Sequence, residues 1–284
     1  MGKFVNLNGE YLLSENPTIY HNNRSFLYGD ALFETMHANG AMVQFFEDHM
    51  ARLKHGMEML KMQIPSNIEH QTIEKEIEKL LRKNKHLKGA RLRLTVFRNS
   101  GGRYTPESNC VSYLIESEKL DHYSYQLNKK GLLVDFYTEL KKPINYLSGL
   151  KTTNAMIYIL AGIHKKENNL DECLLINQKN EITEAISSNI FIVKEDIIKT
   201  PSLKSGCLNG IMRNKVLTLA TKNGFKVSAD KPVIPEDLLN ADEIFFTNAI
   251  KGIQWVGGLQ HKRFYKNTAR QFITALNELA GINS

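Results

Sequence analysis

Apolar side chains recur along this chain at two spacings, and the switches between them mark out its elements. Near the start, Phe4, Leu7 and Tyr11-Leu12 flank Asn8-Gly9, a dipeptide that tolerates positive φ and therefore predicts a tight hairpin. Met50, Leu53, Met57 and Leu60 fall three and four residues apart, the spacing of a helix with one buried stripe. Pro65-Ser66 precedes a second helix that carries Ile73, Ile77 and Leu80. From Ala90 to Phe97 the period becomes two, which predicts a half-buried strand with Arg91, Arg93 and Thr95 on its other face. Gly101-Gly102 ends that strand in a loop.

Hydrophobicity then falls from about Glu116 to Lys130, which suggests a linker at 119–130. It separates a small N-terminal α/β domain (1–118) from a larger one (131–284). In the second part, strand-like runs occupy 132–137, 173–176, 189–193 and 243–246, with helical stretches at about 153–167 and 209–223, the latter stopped by Gly224. A terminal helix is expected from Asn267, read as its cap, to Ala280, with Gly281 beyond its end. The pattern is that of an α/β (mixed α+β) protein with two domains, without internal repeats.

Composition narrows the function classes. No apolar run approaches the roughly 18–20 residues that cross a bilayer, and Met1-Gly2-Lys3-Phe4-Val5-Asn6 holds no apolar signal core, so a cytoplasmic location is expected. Cys110, Cys173 and Cys207 are odd in number and widely spaced, a pattern of reduced thiols rather than of a metal site. The net charge of +7 invites a nucleic-acid reading, but the lysines alternate with glutamates, as in Glu74-Lys75-Glu76-Ile77-Glu78-Lys79. That is a solvated helix face with internal pairs. The surplus suits a small anionic substrate.

Candidate chemistry comes from three runs read together. Lys151 stands in Ser148-Gly149-Leu150-Lys151-Thr152-Thr153-Asn154-Ala155, Glu184 in Asn180-Glu181-Ile182-Thr183-Glu184-Ala185, and Leu208-Asn209-Gly210-Ile211-Met212-Arg213 is a turn opening a helix. Alone, a lysine among 37 Lys+Arg is a surface charge, and a glutamate in a strand is an exposed side chain. A lysine, a carboxylate and a phosphate-sized turn together suggest pyridoxal 5′-phosphate. That cofactor needs a lysine amine to bond its aldehyde and then to move the substrate's proton. Leu150 and Ala155-Met156-Ile157 are apolar neighbours, which disfavours a charged amine. A carboxylate beside the ring nitrogen favours its protonated form. Gly210 lets the backbone approach a phosphate, and the Ile211 and Met212 amides lie at a helix start, where unpaired N–H groups favour an anion.

These runs, with Arg24-Ser25-Phe26-Leu27-Tyr28-Gly29-Asp30-Ala31-Leu32-Phe33-Glu34-Thr35 and His49-Met50-Ala51-Arg52-Leu53, resemble the class IV aminotransferase family of fold-type IV enzymes. The family includes branched-chain aminotransferases, D-amino acid aminotransferases and 4-amino-4-deoxychorismate lyases. The resemblance implies a two-domain fold with the cofactor at the domain interface, and a homodimer. It makes Lys151 the catalytic lysine, Glu184 the partner of the ring nitrogen and Arg52 the phosphate arginine, with His49 structural. Gly210, Ile211, Met212, Asn248 and Ala249 complete the implied cofactor contacts. Ala249 stands where aminotransferases place a phosphate-binding threonine, so backbone amides or Thr247 must compensate. Asn248-Ala249, Asn209-Gly210-Ile211-Met212-Arg213 and the loop Arg98-Asn99-Ser100-Gly101-Gly102-Arg103-Tyr104 are similar to the lyases. Arg103 also falls near the carboxylate-binding arginine of D-amino acid aminotransferases, whereas Phe33 replaces a tyrosine found in many transaminases. Arg103, Tyr104 and Phe33 are the implied substrate contacts, for an amino substrate carrying a carboxylate. Expected outcomes are the lyase reaction, a transamination or, remotely, cofactor binding without turnover.

Overall fold

The protein is described by a computed structural model at residues 2–16, 19–65 and 68–282; Ser66, expected ahead of the second helix, lies outside them. Two compact units divide the chain, Met1–Ser124 with Lys151–Asn154, and Tyr125–Leu150 with Ala155–Ser284.

In the first unit the elements are β1 (Phe4–Leu7), β2 (Glu10–Leu13), α1 (Arg24–Tyr28), β3 (Ala31–Asn39), β4 (Met42–Val43), α2 (Phe46–Met59), α3 (His70–Asn84), β5 (Ala90–Arg98) and β6 (Val111–Lys119). The strands form a sheet in the order β2-β1-β6-β5-β3-β4. The hairpin at Asn8-Gly9 forms with both residues at positive φ. On α2, Met50, Leu53 and Met57 are buried as the three-and-four spacing predicts, and Ile73, Ile77 and Leu80 are buried on α3. Along β5, Ala90, Leu92, Leu94 and Val96 are fully buried on one face. One expectation changes here. Lys119, the first residue of the expected linker, is strand, because β6 pairs the whole of β5 and sets Glu116 opposite Arg93 and Glu118 opposite Arg91. The low hydrophobicity of this stretch reflects cross-strand charge pairing on an accessible face.

Downstream lie β7 (Leu132–Lys142), α4 (Met156–Glu167), β8 (Glu172–Asn177), β9 (Ile182–Ala185), β10 (Asn189–Lys194), β11 (Ile197–Lys199), α5 (Ile211–Lys222), β12 (Lys226–Ser228), α6 (Pro235–Asn240), β13 (Glu243–Asn248), β14 (Gly252–Leu259), β15 (Lys262–Arg263) and α7 (Asn267–Leu279). Their sheet runs β12-β11-β10-β13-β14-β7-β8-β9, with β15 beside β14. Leu174, Ile176, Ile182, Ile190, Ile244, Phe246 and Val256 pack into one core, which accounts for strands that read as continuous apolar runs. β7 continues five residues past the predicted 137 to Lys142. Asn267 is the first helical residue of α7 rather than its cap; Lys266 takes the cap position and makes no side-chain cap bond.

Lys151–Asn154, expected with the second half, belong to the first unit. The reason is backbone pairing: Phe33 N–H donates to Lys151 O at 2.9 Å and Thr153 N–H to Ala31 O at 3.0 Å.

Candidate active site

In the first unit, the tetrapeptide that carries Lys151 is tied to the start of β3. Besides those backbone bonds, Thr153 Oγ1 and Asn154 Nδ2 each donate to Gly29 O at 3.0 Å. Lys151 Nζ then lies 4.4 Å from the centroid of the Phe33 ring, on which the Arg93 guanidinium also stacks at 3.9 Å. Two cations on one aromatic ring make a locally positive platform, with the ring's negative faces as the compensating charge. Burial pushes the Arg93 guanidinium below its ordinary value, with Glu116 opposing. Met156, one of the apolar sequence neighbours of Lys151, has a side chain 66% exposed.

Behind Phe33, on the opposite face of β3, Glu34 is 1% exposed. Arg52 Nε donates to its Oε1 at 2.8 Å and Nη2 to its Oε2 at 2.6 Å, and His49 Nδ1 lies 2.7 Å from Oε2. Burial alone would raise the Glu34 carboxyl, but the Arg52 charge and hydrogen bonds, with those of His49, bring it down to about 2. Arg52 is therefore oriented by Glu34, and His49 has the structural role expected of it.

Arg103 and Tyr104 sit on the loop after β5, both exposed. The loop is gripped from below by Arg24, a residue that sequence reasoning left in its motif without a role. Arg24 Nη1 donates to the carbonyls of Gly101 (3.0 Å), Gly102 (3.2 Å) and Arg103 (2.7 Å), while Nε donates to Asp30 Oδ2 at 2.9 Å. Arg98 Nε donates to the same Asp30 oxygen at 2.9 Å. Gly102, at φ 68°, has no room for a Cβ against Thr105 O, so the sharp turn presenting Arg103 requires glycine.

In the second unit, Glu184 of β9 is 4% exposed and accepts three hydrogen bonds, two on Oε1 and one on Oε2. Its Oε1 accepts from the Tyr158 hydroxyl at 2.7 Å and from the Lys142 ammonium, and its Oε2 accepts from Leu208 N–H at 2.8 Å. Burial, then the Glu184 charge, push the Tyr158 hydroxyl far above its ordinary value, so it serves as a donor. Lys142 and Tyr158 were not singled out from sequence; Lys142 is one of two adjacent lysines at a strand end, with nothing local to mark it.

At the helix start, Gly210 is the N-cap of α5 and makes no side-chain cap bond, and no acidic residue occupies the first turn. A Cβ at Gly210 would collide with Asn189 Oδ1, while Asn189 Nδ2 donates to Leu208 O at 2.8 Å. Asn189 pairs with Thr247 across β10 and β13. Thr247 is 2% exposed, and its Oγ1 has no hydrogen-bond partner among the described residues. A buried hydroxyl left unpaired is costly unless a ligand completes it. Asn248 Nδ2 donates to Ser188 Oγ at 2.9 Å, and its Oδ1 accepts from Ile250 and Lys251 N–H. Ala249 follows in the turn and offers no side-chain donor. Among the described residues, no group of His, Cys, Asp and Glu is arranged to hold a metal, and no helix is long and apolar enough to cross a membrane.

The amino-transferase class IV family model matches residues 31–257. The chain belongs to the class IV aminotransferases. Among relatives of this class IV chain, the branched-chain-amino-acid aminotransferase of Pseudomonas aeruginosa is 28% identical over 247 residues, covering 84% of this chain and 79% of that protein. The aminodeoxychorismate lyase of Vibrio harveyi is 25% identical over 240 residues, covering 83% and 85%. The fold matches the branched-chain amino acid aminotransferase from Escherichia coli, with a TM-score of 0.87 at 20% identity over 100% of this chain and 96% of that one. Another structure of the same fold is a branched-chain aminotransferase complexed with N-(5′-phosphopyridoxyl)-L-glutamate. Class IV aminotransferases use pyridoxal 5′-phosphate, and the donor set fits that group. An uncapped helix start, a glycine with no space for a side chain and the Thr247 hydroxyl suit a phosphate; a buried carboxylate with one acceptor position left on Oε2 suits a ring N–H.

Proposed function

We propose that this class IV enzyme is a 4-amino-4-deoxychorismate lyase, which releases pyruvate and leaves 4-aminobenzoate. The observation that carries this reading is the loop of Arg103. Arg24 holds the main chain of that loop at three successive carbonyls, and the exposed Arg103 guanidinium it carries is open to a substrate carboxylate, which its fork geometry can pair bidentately. Aminodeoxychorismate carries two carboxylates, and the Arg93 guanidinium on the Phe33 ring beside Lys151 supplies a second cation for the other. Alanine at 249, in place of threonine, points the same way.

In the second unit, the α5 amides and the Thr247 hydroxyl would hold the cofactor's phosphate and Glu184 its ring nitrogen; Arg52, in the first unit, is a further candidate phosphate donor. When bound, the cofactor supplies an electron sink for the pair left on the amine-bearing carbon. Lys151 would hold the cofactor through its amine, and the same amine, when free, would take the proton from that carbon. The C–O bond to the enolpyruvyl group then breaks, the departing enolate gains a proton and becomes pyruvate, and the ring becomes aromatic. Arg103 and Arg93 would pair the substrate carboxylates and so hold the amine-bearing carbon and the neighbouring C–O bond in place for the elimination.

Transamination is the second reading, favoured by the Pseudomonas aeruginosa relative. It shares Lys151, Glu184 and the phosphate donors, and differs in requiring an amino acceptor. The deciding experiment incubates purified protein with aminodeoxychorismate alone and, separately, with amino acids and 2-oxoglutarate. Pyruvate and 4-aminobenzoate formed without an acceptor support the lyase; turnover only with an acceptor makes it a transaminase. A homodimer accompanies either reading. The side chains of Met156, Ile159 and Ile163 on α4 are exposed at 66%, 54% and 49%, a surface that a second copy would cover, and light scattering of the purified chain tests it.

A further inference from the structure

Lys142 and Glu184 form a buried ion pair in the second unit. Lys142 is 3% exposed and Glu184 4% exposed, so the two charges compensate each other in a region from which water is excluded. The pairing arises from the sheet. β7 runs beside β8 and β8 beside β9, and the extension of β7 to Lys142 sets it opposite Asn177, two residues beyond Leu175, which pairs with Glu184. The ammonium also lies 5.5 Å from the Tyr158 ring centroid.

The two carboxylate oxygens are used unequally. Oε1 takes both Lys142 and Tyr158, whereas Oε2 takes the Leu208 amide. Leu208 directly precedes the phosphate-sized turn at Asn209-Gly210, so Oε2 faces the segment proposed to hold the cofactor. Other titratable groups around Glu184 are Tyr158 on α4, Cys207 before α5 and Arg213 on α5, which the Cys207 thiol senses together with Glu184 and Lys142. The Cys207 thiol is raised to about 11, first by burial and then by Glu184, so it carries no charge near neutrality. Lys142 is thus the cation in direct contact with the carboxylate.

We propose that Lys142 is a positioning residue that sets how firmly the cofactor's ring nitrogen keeps its proton, because its ammonium matches the Glu184 charge that would otherwise serve the ring alone. This rests on the reading that Glu184 receives the ring nitrogen. A carboxylate without a second cation holds a pyridinium strongly; one shared with an ammonium holds it less. One unit charge about 6 Å away, at an effective dielectric of about 20, shifts the proton equilibrium by about two pH units. Removing that charge therefore raises the pH at which the ring nitrogen deprotonates, while keeping it as arginine does not.

The test is 15N NMR of the enzyme reconstituted with ring-15N pyridoxal 5′-phosphate, followed across pH for the wild type and for Lys142→Met, Lys142→Gln, Lys142→Arg and Glu184→Gln. Lys142→Met and Lys142→Gln should retain the ring proton to a pH about two units above the wild type, and Lys142→Arg should follow the wild type. Two neutral substitutions are included because one of them can fail to fold. Coincident titrations for wild type and either folded neutral variant overturn the proposal, as does a change in Tm alone, which marks the pair as structural. The underlying reading fails separately: if Glu184→Gln leaves the ring signal unmoved, Glu184 is not beside the nitrogen. A signal that answers to Glu184→Gln but not to Lys142 substitution refutes only the role of Lys142.

Discussion

Glu34 and Arg52 are joined at both ends of the carboxylate, Nε to Oε1 at 2.8 Å and Nη2 to Oε2 at 2.6 Å, with Glu34 only 1% exposed. Removing one partner of a buried pair leaves the other charge uncompensated and costs about 3–5 kcal/mol. Glu34→Gln should therefore lower unfolding free energy by that amount in urea titrations at neutral pH. The carboxyl is held at about 2, below its ordinary 4.5, so its contribution is present above pH 4.5 and is lost as pH falls toward 2. Wild type and Glu34→Gln should converge in stability across that window. A constant gap down to pH 2 would refute the assignment.

Lys151→Ala should abolish the visible absorption of the lysine-bound cofactor while leaving the protein folded. A retained band would mean that another lysine bonds the aldehyde.

Thr247 separates ligand binding from folding. Its Oγ1 has no partner among the described residues, so Thr247→Val should leave the Tm of the cofactor-free protein unchanged or higher. If that hydroxyl donates to the phosphate, the cofactor Kd should rise about tenfold, from roughly 1.5 kcal/mol for one bond to a charged group. An unchanged Kd, measured by fluorescence titration, removes Thr247 from the phosphate site.

Arg24 acts, on this reading, through Arg103. Arg103→Ala should lower kcat/KM roughly 10- to 150-fold, chiefly through KM, from about 1.5–3 kcal/mol for a charged hydrogen bond. Lysine cannot reproduce a fork that serves three carbonyls and Asp30, so Arg24→Lys should raise KM in the same direction. The double variant should be no worse than Arg103→Ala. Additive losses would show that Arg24 works independently of the loop.

His37 on β3 gives a second pH window. Burial lowers it from 6.5 to about 4, with a hydrogen bond involving the His122 backbone opposing. Because the folded value is depressed, its contribution is complete above pH 6.5 and is lost as pH falls to 4, on the order of 3 kcal/mol in all. Tm measured from pH 7 to 4 should fall in the wild type and fall less in His37→Gln.

What was legible in the sequence was whatever a local period encodes. The α2 stripe and the β5 alternation were read correctly because burial of one face imposes 3.6- or 2-residue spacing on neighbouring positions. The fall in hydrophobicity from Glu116 drew the linker one residue into β6, at Lys119, because a charged strand can be stabilised by partners a strand away, which composition does not register. Lys142 and Tyr158 reach Glu184 only through the register of β7, β8 and β9 and the packing of α4 on them. No window of sequence contains that relationship. Arg24 lay in a motif already noted, yet its partners at Gly101, Gly102 and Arg103 are far along the chain.

The placement of Lys151–Asn154 has a consequence for how this chain can be divided. The polypeptide leaves the first unit after Ser124, returns to it for these four residues and leaves again at Ala155. No single break yields both units as continuous fragments. A piece ending at 124 lacks the strip that pairs with Ala31 and Phe33, and a piece starting at 125 carries Lys151 away from them. Gene fission, or grafting of either unit onto another scaffold, must move that tetrapeptide across as a separate stitch, or the lysine arrives without its seat.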